Sequence, residues 1–83
     1  MCCCTYILYS KLIDRYYIGY TCDVMSERLR KHNTNHNGFT GRTNDWKIVY
    51  LENYSSRSEA YARERAIKSK KSRTYIENLI ANR

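Results

Sequence analysis

The chain has 83 residues, which is room for one domain, residues 1–83, with a core near the lower limit of independent stability. Fifteen Lys and Arg against eight Asp and Glu leave a formal net charge of +7. This points to a polyanionic partner, most often nucleic acid, with an anionic membrane surface as the lesser rival.

No stretch approaches the ~20 apolar residues needed to span a bilayer. Met1-Cys2-Cys3-Cys4 lacks the charged start and apolar run of a signal peptide. A cytoplasmic (nucleoid-associated) or nuclear protein is therefore expected, not a secreted one. The four cysteines are Cys2, Cys3, Cys4 and Cys22. Three in a row cannot readily pair with one another or give tetrahedral zinc spacing, so reduced thiols are expected throughout.

In chain order, residues 3–10 and 15–20 are rich in strand formers, and the short polar link between them predicts a hairpin. Thr21 or Asp23 can cap a helix reaching about Asn33. A polar loop with Gly38 and Gly41 as breakers follows over 33–45. A third strand is predicted over 46–52. Ser56-Arg57-Ser58-Glu59 fits a capping box that opens a helix to about Lys70. Ser72 can cap a last short helix with Tyr75, Ile76, Leu79 and Ile80 as its apolar stripe. The expected fold is α+β, a three-stranded antiparallel sheet flanked by helices in the order β-β-α-β-α-α.

Several polar residues fall where burial is expected. At 100° per residue, Val24, Met25 and Leu29 define the apolar arc of the first helix, and Arg28 and His32 lie within it. Arg30 and Lys31 point away and read as a solvated face. On the second helix Glu64 lies about 40° from Ala60, on the inner side marked by Ile67 and the stem of Arg63. A buried carboxylate without a partner costs several kcal/mol. Two readings are open: an Arg28–Glu64 ion pair crossing the core, or a cleft where Arg28, His32 and Glu64 meet. In the hairpin Tyr6 and Leu8 share one face, as do Tyr17 and Gly19, and the glycine leaves room beside Tyr17. A carboxylate suits Mg²⁺, a guanidinium suits charge growing on phosphoryl oxygens, and a phenol or imidazole can serve as base.

Tyr17-Ile18-Gly19, on the second strand of an N-terminal hairpin, resembles the second half of the GIY-YIG nuclease signature, and Cys4-Thr5-Tyr6 occupies the place of the first half. The agreement continues through Arg28-Leu-Arg-Lys-His32-Asn33, Trp46 with Val49-Tyr50, Ser58-Glu59-Ala60, and Arg63-Glu64-Arg-Ala-Ile67-Lys68. It spans about residues 4–80 and is nearest to the small stand-alone branch, similar to the incision subunit of excision repair. The resemblance implies a one-metal endonuclease of DNA, using Mg²⁺ or Mn²⁺, with a role in repair or recombination. It implies Tyr6 and Tyr17 as paired active-site tyrosines, one serving or assisting as general base. Arg28 would steady the scissile phosphate, His32 would hydrogen-bond near the nucleophile, and Glu64 would hold the metal.

The chain departs from the pattern at Cys4 and Thr5, which replace glycine and isoleucine, and at Glu27, where some members carry a basic residue. An asparagine following the metal-binding helix has no clear counterpart; Asn78 is the nearest and lies in another helix. Arg42 in the polar loop, with Lys68, Lys70, Lys71 and Arg73, forms the expected nucleic-acid-contacting set. With no separate DNA-binding domain in view, cutting directed by DNA structure (flaps or branches) rather than sequence is expected. A non-catalytic binding module and a subunit needing a protein partner for substrate recognition are the alternatives. His32 and His36 lie four apart, as a zinc pair would, but Asn and Gly downstream predict that the helix ends first.

Overall fold

A computed structural model of the chain describes residues 2–34 and 43–82. Along the chain run β1 (Cys3–Ser10), β2 (Arg15–Thr21), α1 (Met25–Asn33), β3 (Lys47–Tyr54), α2 (Arg57–Ser69) and α3 (Arg73–Ala81). The strands form one antiparallel sheet in the order β2-β1-β3, so the expected α+β architecture and element order are both observed. The polar loop falls largely at 35–42, outside the described residues, and with it lie Arg42 and His36. Among the described residues no helix is long and apolar enough to cross a membrane.

The central strand β1 is buried almost along its whole length. Alternation of side chains along it builds two separate cores. Cys4, Tyr6 and Leu8 cluster with Trp46 on one face, joined by Tyr17 and by Met25 and Leu29 of α1. On the other face Ile7 packs with Ile18 and with Ile67 of α2, and Tyr75, Ile76 and Leu79 of α3 close over them. Thr5 is also fully buried, and its hydroxyl donates to the Ala60 carbonyl at 2.8 Å, tying β1 to α2. The sheet is thus covered by α1 on one side and by α2 and α3 on the other.

The caps of the last two helices follow the sequence. Ser56 Oγ accepts from the Glu59 amide at 3.3 Å, and Ser72 Oγ accepts from the Tyr75 amide at 3.1 Å. The first helix does not follow it. Its N-cap is Val24, with no side-chain cap. Thr21 Oγ1 instead accepts from the Asp23 amide at 3.0 Å and is used up in the turn before the helix. Val24 is 67 % exposed, because it sits ahead of the first helical turn, where the 100° periodicity does not yet apply. The expectation of four reduced thiols is also corrected. Cys3 and Cys22 form a disulfide, since the hairpin register that pairs Cys4 with Thr21 brings these two residues opposite each other. Cys2 and Cys4 remain free thiols.

Two polar brackets hold the chain around the polar loop. Asn33 at the end of α1 donates to the Trp46 carbonyl at 3.1 Å and accepts from the Trp46 amide at 2.8 Å, imitating a strand partner. Asp45 accepts from Ser10 at 2.5 Å, from Thr43 at 2.7 Å and from the Leu12 amide at 3.0 Å. The Ser10 and Thr43 hydroxyls hold its carboxyl down at about 2, from an ordinary 3.8.

Candidate active site

The α1 face of the sheet carries a polar cluster at its β2 side. Tyr6 on β1 lies opposite Gly19 on β2, and Tyr17 is two residues before that glycine. A Cβ at position 19 would lie 2.6 Å from Tyr6 Oη, 2.7 Å from Tyr6 Cζ and 3.1 Å from Tyr17 Cε2. Only glycine therefore lets the two phenols stand side by side, with ring centroids 6.5 Å apart. The backbone is extended here; the glycine is required by close approach.

From α1, residues four apart deliver Arg28 and His32 onto the same spot. Tyr6 Oη is 2.8 Å from His32 Nε2, and Arg28 Nε donates to Tyr6 Oη at 3.4 Å. With Arg28 as donor to the phenol oxygen, the phenol proton is left to point at Nε2, which acts as acceptor. The His32 ring is 4.9 Å from Tyr17, and Trp46 meets Tyr17 edge-on at 6.4 Å. Burial pushes the Tyr6 hydroxyl above its ordinary range, and the Arg28 hydrogen bond opposes this only in part. The same bond, outweighing desolvation, raises the Arg28 guanidinium.

Glu64 comes from the middle of α2, between the buried Ala60 and Ile67, and is itself only 7 % exposed. One carboxylate oxygen pairs with Lys68 Nζ at 2.5 Å. The other is buried and has no hydrogen-bond partner among the described residues. The Lys68 ammonium also sits 5.8 Å from the Tyr17 ring centroid, so lysine links the carboxylate to the tyrosine cluster. Of the two readings left open by the sequence, the ion pair is not seen: Arg28 bonds Tyr6 and Glu64 pairs with Lys68.

Exposure divides the group. Tyr6 is fully buried and His32 nearly so, whereas Tyr17 and Arg28 are half-exposed. The floor of the site is therefore Tyr6 and His32, and its rim is Tyr17, Arg28 and Lys68. A cleft of about 370 Å³ opens beside it, lined by Arg28, Arg30, Lys31, His32 and Thr34. Arg30 and Lys31, which helical periodicity assigned to a solvated face, border the cleft because it lies at the C-terminal end of α1, where residues from several sides of a helix converge. Arg30 also pairs with Glu27 at 3.1 Å.

The remaining basic residues are dispersed. Lys70 lies over the Tyr75 ring at 5.5 Å. Lys71 takes a positive φ of 48° in the corner between α2 and α3. Arg73 is tied to Asp14 at 2.6 Å and to Glu77 at 3.1 Å, and stacks on Tyr16 at 5.1 Å, pinning α3 to the β1–β2 turn. Arg42 lies outside the described residues. Asn78 is exposed on α3, and its carbonyl accepts from the Asn82 side chain. Asn33 and Trp46 belong to the motif run but have structural tasks that the sequence did not reveal: one spaces α1 from β3, the other backs Tyr17.

Among the described residues no three His, Cys, Asp or Glu side chains converge. A cation at Glu64 would thus be held by a single carboxylate, with water and phosphate oxygens completing its shell, as Mg²⁺ commonly is. The buried carboxylate oxygen without a partner fits that role, since leaving it unmet costs about 1–3 kcal/mol.

Searches of curated proteins and of solved structures return no match. The family model of the GIY-YIG catalytic domain matches residues 2–77, nearly the whole chain. Members of that family generally use a divalent metal, and DNA is the substrate class the family implies. A match that runs over residues 2–77 makes the protein a member of the GIY-YIG family, an endonuclease-type phosphodiesterase.

Proposed function

We propose that this chain hydrolyses phosphodiester bonds in DNA with one Mg²⁺ or Mn²⁺ ion at Glu64, choosing its target by DNA structure rather than sequence. The observation that carries this reading is the under-satisfied Glu64 carboxylate, buried and paired with Lys68, whose ammonium lies over the Tyr17 ring. A stable core of this size gains nothing from such a group. When bound, the ion polarises the phosphoryl oxygens and lowers the pKa of a coordinated water.

The residues divide the remaining work. Arg28, fixed through Nε by Tyr6, has its terminal nitrogens left to meet the scissile phosphate and its growing charge. Tyr17, on the rim, is the phenol that contacts the attacking water. Tyr6 is a positioning residue: its buried hydroxyl fixes both Arg28 and His32. His32 accepts from the Tyr6 hydroxyl at Nε2 and so holds the phenol network in register. Lys68 neutralises Glu64 in the free protein and, with Glu64 holding a metal, would be available to the phosphate. Lys70 and Lys71 supply sequence-independent phosphate contacts, a role the sequence also assigns to Arg42. The pattern of the small stand-alone branch supports a role in DNA repair or recombination, with excision-repair incision as the nearest analogy.

The test is a cleavage panel of single-stranded, duplex, flapped and branched DNA with Mg²⁺ or Mn²⁺, comparing wild type with Glu64→Ala and Arg28→Ala. Metal-dependent nicking that both variants abolish, with melting curves intact, supports the reading. Salt-sensitive binding without cleavage on every substrate and metal would replace it with a binding module.

A further inference from the structure

Arg57, Tyr61, Glu64 and Lys68 stand at i, i+4, i+7 and i+11 on α2. At 100° per residue they fall within an arc of about 60°, a single row running the length of the helix. One end of the row, Glu64 and Lys68, belongs to the site described above. The other end opens on a separate cleft of about 230 Å³, lined by Tyr20, Arg57, Ser58 and Tyr61. Tyr20 of β2 and Tyr61 meet edge to face with centroids 5.3 Å apart. Tyr61 is 47 % exposed, large for an aromatic ring on so small a protein. Arg30, Arg63, Lys68 and Arg73 each have a carboxylate partner. Arg57 has none among the described residues, so its guanidinium is available to an anion.

We infer that this cleft is a second substrate subsite, which takes one unpaired nucleotide of the strand being cut. The inference rests on the nuclease reading and names the feature by which structure-directed cutting would be achieved. Exposed aromatic rings offer a stacking surface, and the neighbouring guanidinium offers a phosphate contact. Together these are the elements of sequence-tolerant binding to single strands. A base within a duplex already has both faces stacked and cannot use them. The cleft is smaller than the ~300–1,000 Å³ of drug-sized ligand sites, which suits one base. Along the helix axis Tyr61 lies about 4.5 Å and Arg57 about 10 Å from Glu64. The subsite is therefore within about three stacked nucleotides of the scissile phosphate. The net charge of +7 and the continuity of the row with the catalytic centre argue for a nucleic-acid strand as occupant over a peptide aromatic side chain.

The experiment measures binding of the full chain, in EDTA to prevent cutting, to a labelled single-stranded DNA decamer and to a blunt duplex of the same sequence. Tyr61→Leu keeps bulk and removes the ring; Tyr61→Phe keeps the ring. The expected result is about tenfold weaker decamer binding for Tyr61→Leu and for Arg57→Ala, with Tyr61→Phe near wild type. Duplex affinity should change less than about twofold for Tyr61→Leu. A 2-aminopurine base scanned along the decamer should be quenched at one position by wild type and Tyr61→Phe but not by Tyr61→Leu. Equal losses on decamer and duplex, or no loss on either, would overturn the inference. So would competition of an aromatic peptide for the cleft with no effect of either substitution on DNA binding. Tyrosine-dependent decamer binding in a protein that cuts no DNA would sink the nuclease reading and leave the subsite standing. Metal-dependent cutting of flapped DNA unaltered by Tyr61→Leu would do the reverse.

Discussion

Two carboxylates near α2 are treated in opposite ways. Glu52 on β3 receives Arg63 at 2.9 and 3.3 Å, Tyr54 at 2.6 Å and the Tyr50 hydroxyl. Burial alone would raise its carboxyl, but Arg63 and the two phenols outweigh this and hold it below the ordinary range. In return Glu52 pushes the Tyr54 hydroxyl up to about 12 and raises the Arg63 guanidinium further. Glu64, one residue after Arg63, is more deeply buried and has one partner among the described residues. The protein can therefore saturate a carboxylate with fixed donors, and it does so on the β3 side. Glu64, on the β2 side, is left with an unmet oxygen among the described residues, which is what the proposed metal-holding role needs.

Substituting the two residues identically tests this contrast most directly. Glu64→Gln should lower metal-dependent cleavage by about 10²-fold or more. Its melting temperature should stay unchanged or rise slightly, because a poorly met buried charge is removed. Glu52→Gln should leave cleavage near wild type and cost about 2 kcal/mol in denaturant unfolding, as Arg63 loses its charged partner. Equal stability losses in the two variants would erase the distinction.

Next in size is the Cys3–Cys22 disulfide, which closes a chain segment of 19 residues from the first strand to the entrance of α1. Reduction, or Cys3→Ser with Cys22→Ser, should cost about 3 kcal/mol by the chain-entropy argument. The loss should appear as a lower urea midpoint.

Gly19→Ala sharpens the contrast on the site side. The new methyl would force the Tyr6 ring, which has no free space, to move. About 1–3 kcal/mol of stability should be lost. Cleavage should fall by more than the folded fraction explains, because Arg28 and His32 are both anchored on Tyr6. Retained activity with lowered stability would show that Tyr6 is only core.

The smallest effect concerns acid. Asp45 carries its proton less readily in the folded chain, with its carboxyl moved from 3.8 to about 2. Its contribution to stability is thus complete above about pH 4 and is lost as pH falls toward 2. Asp45→Asn should flatten the acid arm of the stability–pH curve in that window and leave neutral-pH cleavage unchanged.

Most of the architecture was legible because its signals are local. Strand formers around a short polar link, Ser56 and Ser72 three residues before their amide partners, and a 100° stripe on α2 each act within a few residues. The stripe arguments also marked Arg28, His32 and Glu64 as polar groups on buried arcs, and strand alternation put Tyr17 beside a glycine. Errors arose where a side chain was claimed by a partner that spacing cannot reveal. Thr21 caps a turn instead of a helix. Cys3 finds Cys22 through strand register.

The sequence by itself therefore determined the order of elements, which faces are apolar, and which polar residues those faces must accommodate. Only the tertiary structure decided how the polar residues are distributed among partners. Among the described residues it gave Glu52 four donors and Glu64 one, placed Tyr6 under the site and Tyr17 at its rim, and set Arg57 and Tyr61 in line with Glu64. The physical reason is range. Helix caps and hydrophobic periodicity are fixed by neighbours in the chain. Saturation of a buried carboxylate depends on donors brought from other strands and helices, and is set only when the sheet and helices close on one another.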